Sequence, residues 1–357
     1  MRGKRELFIR KETYPNEHRT PLTPSDVGIL IRSGFSVFVE KSEKRVYKDN
    51  EYEEEGGILT KYSWNFPYYK SCLILGLKEL ENIEILDKHS HAFFSHSFKQ
   101  QKKSNTILTL FSKTKSKLYD FEYFLNKEEK RIISFGFYAG CVGGVLGILQ
   151  FYKNLIVPLK PWNSFDQMIQ QVKESKNSSL PKIAIIGAKG RCGQGVQKVL
   201  ELLDIPLSCL DRENCPSTFK DYDIFYNCIK LEESYDQVWF HTKTEFTKPL
   251  LIVDISCDVS KTNQPIQIYS ENTTWDSPVY SYNRLVDILA IDNLPSLLPR
   301  ESSAYFSSIL LSLLMNEEHS IVWKKALDIF MDVSKSPSQS PCVSAPPESH
   351  EQDSDHR

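Results

Sequence analysis

The segment 183–195 reads IAIIGAKGRCGQG: an apolar run, then Gly187, Gly190 and Gly193, then residues suited to open a helix. Glycines at such a turn let it tighten and let backbone amides approach a pyrophosphate, and the helix N-terminus beyond adds partial positive charge. The spacing is G-x-x-G-x-x-G rather than the more usual G-x-G-x-x-G, and Lys189 and Arg191 could add charge for phosphate binding. A ribose-binding acid belongs about 20 residues further on, at the end of the next strand. Asp211, directly after the strand-like LSCL at 207–210, stands in that place. A carboxylate there accepts hydrogen bonds from ribose hydroxyls and repels a 2′-phosphate, which favours NAD over NADP. The motif points to a dinucleotide and says nothing of the substrate.

A second set of candidates lies in the N-terminal half. Lys78 and Glu79 follow the apolar run CLILGL at 72–77, and His96 lies at the end of HAFFSHS at 91–97. Side chains at the carboxyl ends of parallel strands converge where α/β proteins bind ligands. A lysine and a histidine held there suit a reaction that forms or hydrolyses an imine, because such a reaction needs groups that exchange protons near neutral pH. Spacing alone favours a solvated loop lysine and a packed surface histidine.

The elements that would position these groups alternate between strand and helix, which defines an α/β protein. Leu7–Arg10, Phe35–Glu40, Cys72–Leu77 and His91–Ser97 read as strands. Thr23 as N-cap, Pro24 at the first position and Asp26 in the first turn open a helix that Gly34 closes. The uncharged stretch Ile132–Tyr152 is long enough to span a bilayer and contains GxxxG spacings. Its five glycines and moderate hydropathy favour a strand at Arg131–Phe135 running into a tightly packed buried helix. Residues 173–181, polar and closed by Pro181, read as a linker. A second α/β unit begins at Lys182–Ile186, with further strands at Ile224–Cys228 and Leu250–Ile255. After Pro299, the residues Phe306, Ile309, Leu310, Leu313 and Leu314 form one apolar helical stripe.

A chain of 357 residues has room for two domains. Two Rossmann-like domains with parallel sheets flanking a cleft are expected. The first spans 1–135 and takes the substrate side. The second spans 136–295 and binds NAD. A helix at about 296–333 returns to the first domain, and a Ser-, Pro- and acid-rich tail, 334–357, is expected to be disordered. The net charge of −2 gives no reason to expect nucleic acid or anionic lipid as a partner. Eight scattered cysteines without metal-ligand spacing, and an N-terminus without a long apolar core, fit thiols in a reducing cytoplasm.

Seven segments, IRKETYPNEHRTPLTP, GLKEL, FFSHSFKQQ, FGFYAG, GAKGRCGQG, DISCD and IDNLPSLLPRE, occur in this order between about Leu7 and Leu314. In this the chain resembles the NAD-dependent, lysine-forming saccharopine dehydrogenases, relatives of alanine dehydrogenase and the transhydrogenase subunit. The resemblance implies oxidation of the secondary amine of saccharopine to an imine, then hydrolysis to lysine and 2-oxoglutarate. It implies catalytic roles for Lys78 and His96 and a substrate carboxylate held by Arg19, a task suited to a bidentate guanidinium. Gln101 and Phe135 match substrate-side positions. Arg131, Gly190, Arg191, Asp211, Ile255, Ser256, Asp258, Ile291, Asp292 and Leu294 match positions around the cofactor. The chain departs from the family pattern in four places, one of them a short segment after Asp211. Arg212 is adjacent to the ribose acid, where the family has a basic residue a few positions later. Lys130 replaces a second arginine. The segment 279–290 (VYSYNRLVDILA) lacks the family's glycines. These departures leave open a homologue with altered substrate or lost turnover, and the reductase direction with NADPH, against which Asp211 argues.

Overall fold

The computed structural model describes residues 5–81, 83–95, 102–177, 179–210, 219–229, 237–257, 259 and 264–335. His96, Gln101, Asp211, Asp258 and the tail from 336 onward lie outside the described residues. The chain divides into two compact units, with boundaries at 134/135 and 301/302.

The first unit is built on six parallel strands: β1 (Arg5–Ile9), β2 (Phe35–Glu40), β3 (Ile58–Thr60), β4 (Leu73–Leu75), β5 (Ser90–Phe93) and β6 (Lys117–Asp120), in the order β3-β2-β1-β4-β5-β6. This is the Rossmann order, and its direction reverses between β1 and β4. Helix α1 (Pro24–Arg32) starts where Thr23 accepts the Asp26 N–H through its hydroxyl, and Gly34 follows it at φ +89°. Helices α2 (Asp49–Glu54) and α3 (Lys102–Lys113) join later strands. The core is aromatic, with Phe8, Phe38, Trp64, Tyr69, Phe93 and Phe111 on one side of the sheet.

The second unit opens with α4 (Gly136–Phe151) and α5 (Phe165–Ser175). Its sheet comprises β7 (Ile183–Ile186), β8 (Leu207–Leu210), β9 (Ile224–Asn227), β10 (Leu250–Asp254), β11 (Tyr280–Ser281) and β12 (Val286–Leu289), ordered β11-β12-β10-β9-β7-β8, with only β11 antiparallel. The strand order reverses between β7 and β9. Helix α6 (Arg191–Leu202) follows β7 directly.

The uncharged glycine-rich stretch is explained by α4, a 16-residue helix buried against α6 and β9. A Cβ at Gly140 would stand 1.9 Å from the Cys192 carbonyl oxygen, and one at Gly195 2.0 Å from that of Phe137. Glycine is required there because the two backbones touch. Tyr226, fully buried on β9, donates its hydroxyl to the Gly144 carbonyl at 2.8 Å. Among the described residues no helix is long and apolar enough to cross a membrane.

Two local expectations are corrected. The segment Arg131–Phe135 forms no strand; Arg131 makes a single bridge to Leu125, and the edge strand of the first sheet is β6 instead. The stretch 173–181 does not separate the units, because α4 and α5 already pack on the second sheet through Val145, Met168 and Val172. At the C-terminal end of the described residues there are two helices, α7 (Pro299–Met315) and α8 (Ser320–Lys335). From Ser302 onward α7 belongs to the first unit: Phe306 packs on Phe94 and Phe121, and Ser303 Oγ accepts the Thr20 N–H at 3.0 Å.

Candidate active site

At the switch point of the first sheet, the ends of β1 and β4 present a buried charged cluster. The ladder continues past both strands: Arg10 N–H donates to the Leu75 carbonyl at 3.0 Å, and Phe94 N–H to that of Leu77 at 3.2 Å. Arg10 lies across Gly76, where a Cβ would stand 2.2 Å from its Nε, and its Nη2 donates to the Lys78 carbonyl. Glu12 then takes the backbone N–H groups of Leu77 and Lys78 at 2.7 and 3.0 Å. Burial pushes its carboxyl up, against the pull of Arg10. Lys78 is thereby fixed from its own main chain, with its Nζ 4.7 Å from the centre of the Tyr14 ring.

Glu17 and Arg19 form the second half of the cluster. Glu17 is 1% exposed and Arg19 6%. Arg19 donates through Nε and Nη2 to the two Glu17 oxygens at 2.8 and 2.6 Å, and its backbone N–H adds a third bond at 3.0 Å. Burial works to raise the Glu17 carboxyl, but Arg19, with Lys78 behind it, outweighs this and holds it at about 2. Lys78 thus lies within the field of an ionised carboxylate. Glu12, Tyr14 and Glu17 lie inside the motif IRKETYPNEHRTPLTP, yet nothing in their spacing announces these contacts.

The ends of β5 and β6 come next in the sheet. Ser95, which precedes His96, donates its hydroxyl to Asp120 at 2.5 Å, and Arg131 pairs with Glu122. The structure therefore gathers Arg19, Lys78 and Arg131 on carboxyl-end segments of one sheet. Phe135 belongs to the second unit, where it precedes the first turn of α4.

In the second unit the turn after β7 sits at the switch point. Gly187 has φ +80°, and a Cβ on it would meet the Cys228 backbone at 2.8 Å. Gly190 N–H closes the turn on the Gly187 carbonyl at 3.1 Å. A Cβ at Gly193 would stand 2.3 Å from that same carbonyl oxygen. Gly190 is the N-cap of α6, no side chain caps it, and the first turn holds no acid. A tight glycine cradle leading into an uncapped helix N-terminus fits a dinucleotide pyrophosphate. Arg191, the first residue of the helix, is 7% exposed.

The remaining cofactor-side candidates divide. Ile255 is buried, with a Cβ at Gly143 falling 2.6 Å from its Cδ1, and Leu294 is buried nearby; both fill space beneath α4. Ser256 donates to the Ile229 carbonyl and so ties the end of β10 to the chain leaving β9. Ile291 is buried and bridges Thr273, whereas Asp292 is exposed. Asp254 escaped the sequence reading. It is 4% exposed and accepts from Tyr269 Oη at 2.7 Å, Asn227 Nδ2 at 2.9 Å and Cys257 N at 2.9 Å. Burial raises its carboxyl in spite of these bonds. The glycine-free segment becomes β11 and β12, and the turn between them is closed by Asn283, whose Oδ1 accepts the N–H groups of Leu285 and Val286 at 2.8 and 2.9 Å. That turn lies at the amino end of β12, opposite the edge that carries Gly187. Among the described residues the cysteines form no disulfide, Cys192 and Cys228 included.

Two Rossmann-like α/β units, one ending in a charged cluster and the other in a glycine cradle, define a dinucleotide-dependent dehydrogenase architecture. The solved structure of an L-alanine dehydrogenase has the same fold, with TM-score 0.67 at 14% identity over 90% of this chain and 93% of that one. Residues 8–142 match the family model described as alanine dehydrogenase/PNT, N-terminal domain. Sequence comparison is more specific. The chain is 33% identical to the saccharopine dehydrogenase [NAD(+), L-lysine-forming] of Emericella nidulans, over 92% of this chain and 97% of that protein. It is 32% identical to the protein of that name from Schizosaccharomyces pombe, over 91% and 97%. The chain belongs to the family of NAD-dependent, L-lysine-forming saccharopine dehydrogenases.

Proposed function

We propose that this protein oxidises saccharopine with NAD and hydrolyses the resulting imine to L-lysine and 2-oxoglutarate. The observation that carries this reading is Lys78, fixed at the switch point of the first sheet and set in the field of the buried Glu17–Arg19 pair, in a chain of this family. NAD, when bound, supplies the hydride acceptor. Gly187, Gly190 and Gly193 form its cradle, with Arg191 beside the pyrophosphate and Asp211 at the adenosine ribose. Ile255, Ser256, Asp258, Ile291, Asp292 and Leu294 border the cofactor, and Arg131 belongs to the same surroundings.

Lys78 and His96 form the acid–base pair: one takes up the proton released as the amine is oxidised, and the other assists water in adding to the imine carbon. The general acid–base effect of each is about a hundred- to ten-thousand-fold. Arg19 is assigned to a substrate carboxylate, and its bidentate bond to Glu17 fixes the plane of the guanidinium before substrate arrives. Gln101 and Phe135 complete the substrate contacts. The reaction is placed in the cytoplasm. The test is the rise of NADH absorbance with saccharopine plus NAD. Turnover with NAD and little with NADP is the expected result; no NADH from saccharopine at any concentration overturns the reading.

A further inference from the structure

Between β1 and α1 the chain makes a tight turn, Tyr14–Glu17, beside Lys78. Pro15 takes its second position and Asn16 its third at φ +60°, and the Glu17 N–H closes it on the Tyr14 carbonyl at 3.3 Å. These are the residues that a type II turn prefers: proline presets one φ, and asparagine tolerates the left-handed one. The turn holds two groups apart at its ends. At the last position is Glu17, whose carboxylate is kept ionised by Arg19 and, behind it, Lys78. At the first is Tyr14, whose ring centre lies 4.7 Å from Lys78 Nζ. Glu17 is 1% exposed and Tyr14 41%, so one group stands in the interior and the other at the surface.

We propose that Tyr14 is a positioning residue for Lys78: its ring face and the Glu17 carboxylate, spaced by the turn, make a two-point seat for the ammonium. The proposal rests on the acid–base role given to Lys78. The oxygens of Glu17 are already bonded to Arg19, so the carboxylate acts on Lys78 through its field. A ring face attracts a cation without claiming a particular N–H, so it can hold the ammonium in place and let it turn its donors toward a substrate. It attracts the ammonium and not the neutral amine, so the seat loosens when the proton leaves. The other charged groups around Lys78 are Arg10, bonded to its carbonyl, Glu12, bonded to its N–H, and the exposed Glu79 next in the chain.

The test reads Lys78 without substrate. Its rate of acetylation by acetic anhydride is followed by mass spectrometry of its own peptide and scaled to the other lysines, in the parent, Tyr14→Leu and Tyr14→Phe. The expected result is a rate about two- to fivefold higher in Tyr14→Leu, the scale of one exposed cation–ring contact, and a parental rate in Tyr14→Phe, which keeps the ring. In saccharopine turnover, Tyr14→Leu should displace the pH profile by about half a unit to lower pH, and Tyr14→Phe should restore it. Equal acetylation of Lys78 in the parent and Tyr14→Leu overturns the proposal, and so does a Tyr14→Phe that follows Tyr14→Leu. Faster acetylation with an unmoved pH profile also overturns it, since the ring would then shield Lys78 without serving the reaction. A parent that never turns over saccharopine refutes the reaction assigned above, and acetylation still decides the seat.

Discussion

Glu17 offers a sharp test of the electrostatics around Lys78. In the folded chain its carboxyl is held at about 2, against an ordinary 4.5, because Arg19 and then Lys78 overcome a burial that acts in the opposite direction. A carboxyl lowered in the folded state stabilises the fold above its unfolded pKa, and that contribution is lost as pH falls from about 4.5 through about 2. Each tenfold change in proton affinity is worth about 1.4 kcal/mol, so the pair carries on the order of 3 kcal/mol across this window. Glu17→Gln removes the titration. At pH 7 it should also lower stability by about 3–5 kcal/mol, because the Arg19 charge stays buried without its carboxylate. Glu17→Gln combined with Arg19→Met should recover part of that loss. The assay is urea unfolding followed by circular dichroism at pH values from 2 to 7. If the curves of stability against pH run parallel for parent and Glu17→Gln below pH 4.5, the pair does not hold the carboxyl down and the reasoning fails.

Other variants separate the remaining roles. Lys78→Met should cut turnover of saccharopine by about a hundredfold or more while NAD still binds, which tryptophan fluorescence titration with NADH measures. Gly193→Ala puts a Cβ 2.3 Å from the Gly187 oxygen and 2.5 Å from the Ala188 Cα, both unyielding backbone. It should weaken NADH binding at least about tenfold, read by the same titration, since the turn must open. Asp120 is raised from 3.8 to about 7, so the folded chain keeps a proton that the unfolded chain has lost. Asp120 should therefore add to a fall in parent stability as pH rises from about 4 to about 7, and Asp120→Asn should show a smaller fall when urea midpoints at pH 4 and pH 8 are compared, Glu12 and Asp254 still contributing theirs.

The parts legible in the sequence were those whose signal is local. The β7 turn and α6 are spelled out by IAII and three glycines, because a buried parallel strand needs an unbroken apolar run and the turn needs residues without a Cβ. Thr23 and Pro24 likewise mark the start of α1. The partners of Lys78 were not legible, because Glu12 reaches Leu77 and Lys78 across 65 and 66 positions and its type alone does not choose them. Asp254 was missed for the same reason: Tyr269 and Asn227 reach it from 15 and 27 positions away. Arg131–Phe135 has a strand's composition, yet Lys117–Asp120 occupies the place beside β5. Ile255, matched to the cofactor side, also seals the core under Gly143, a packing role that its type alone does not reveal.

The departures from the family pattern bear on whether this protein turns over, and one of them can be weighed from its position. A parallel sheet presents its ligands at the carboxyl ends of its strands. The segment without glycines pairs as β11 with β12, and its turn emerges at the amino end of β12. Asn283 closes that turn through its side chain, the work a glycine's free backbone would otherwise do. The missing glycines therefore cost neither the hairpin nor the edge that carries the cradle. A retired enzyme would have to be retired elsewhere, and the charged cluster argues against the first unit as the place. Glu12, Glu17 and Arg19 are all buried near Lys78, with Glu12 bonded to the Lys78 N–H and Arg19 to Glu17, an arrangement that is expensive to keep if it serves only the fold. The test that remains is chemical: NADH formed from saccharopine by the parent and lost in Lys78→Met would show that this cluster is kept for turnover.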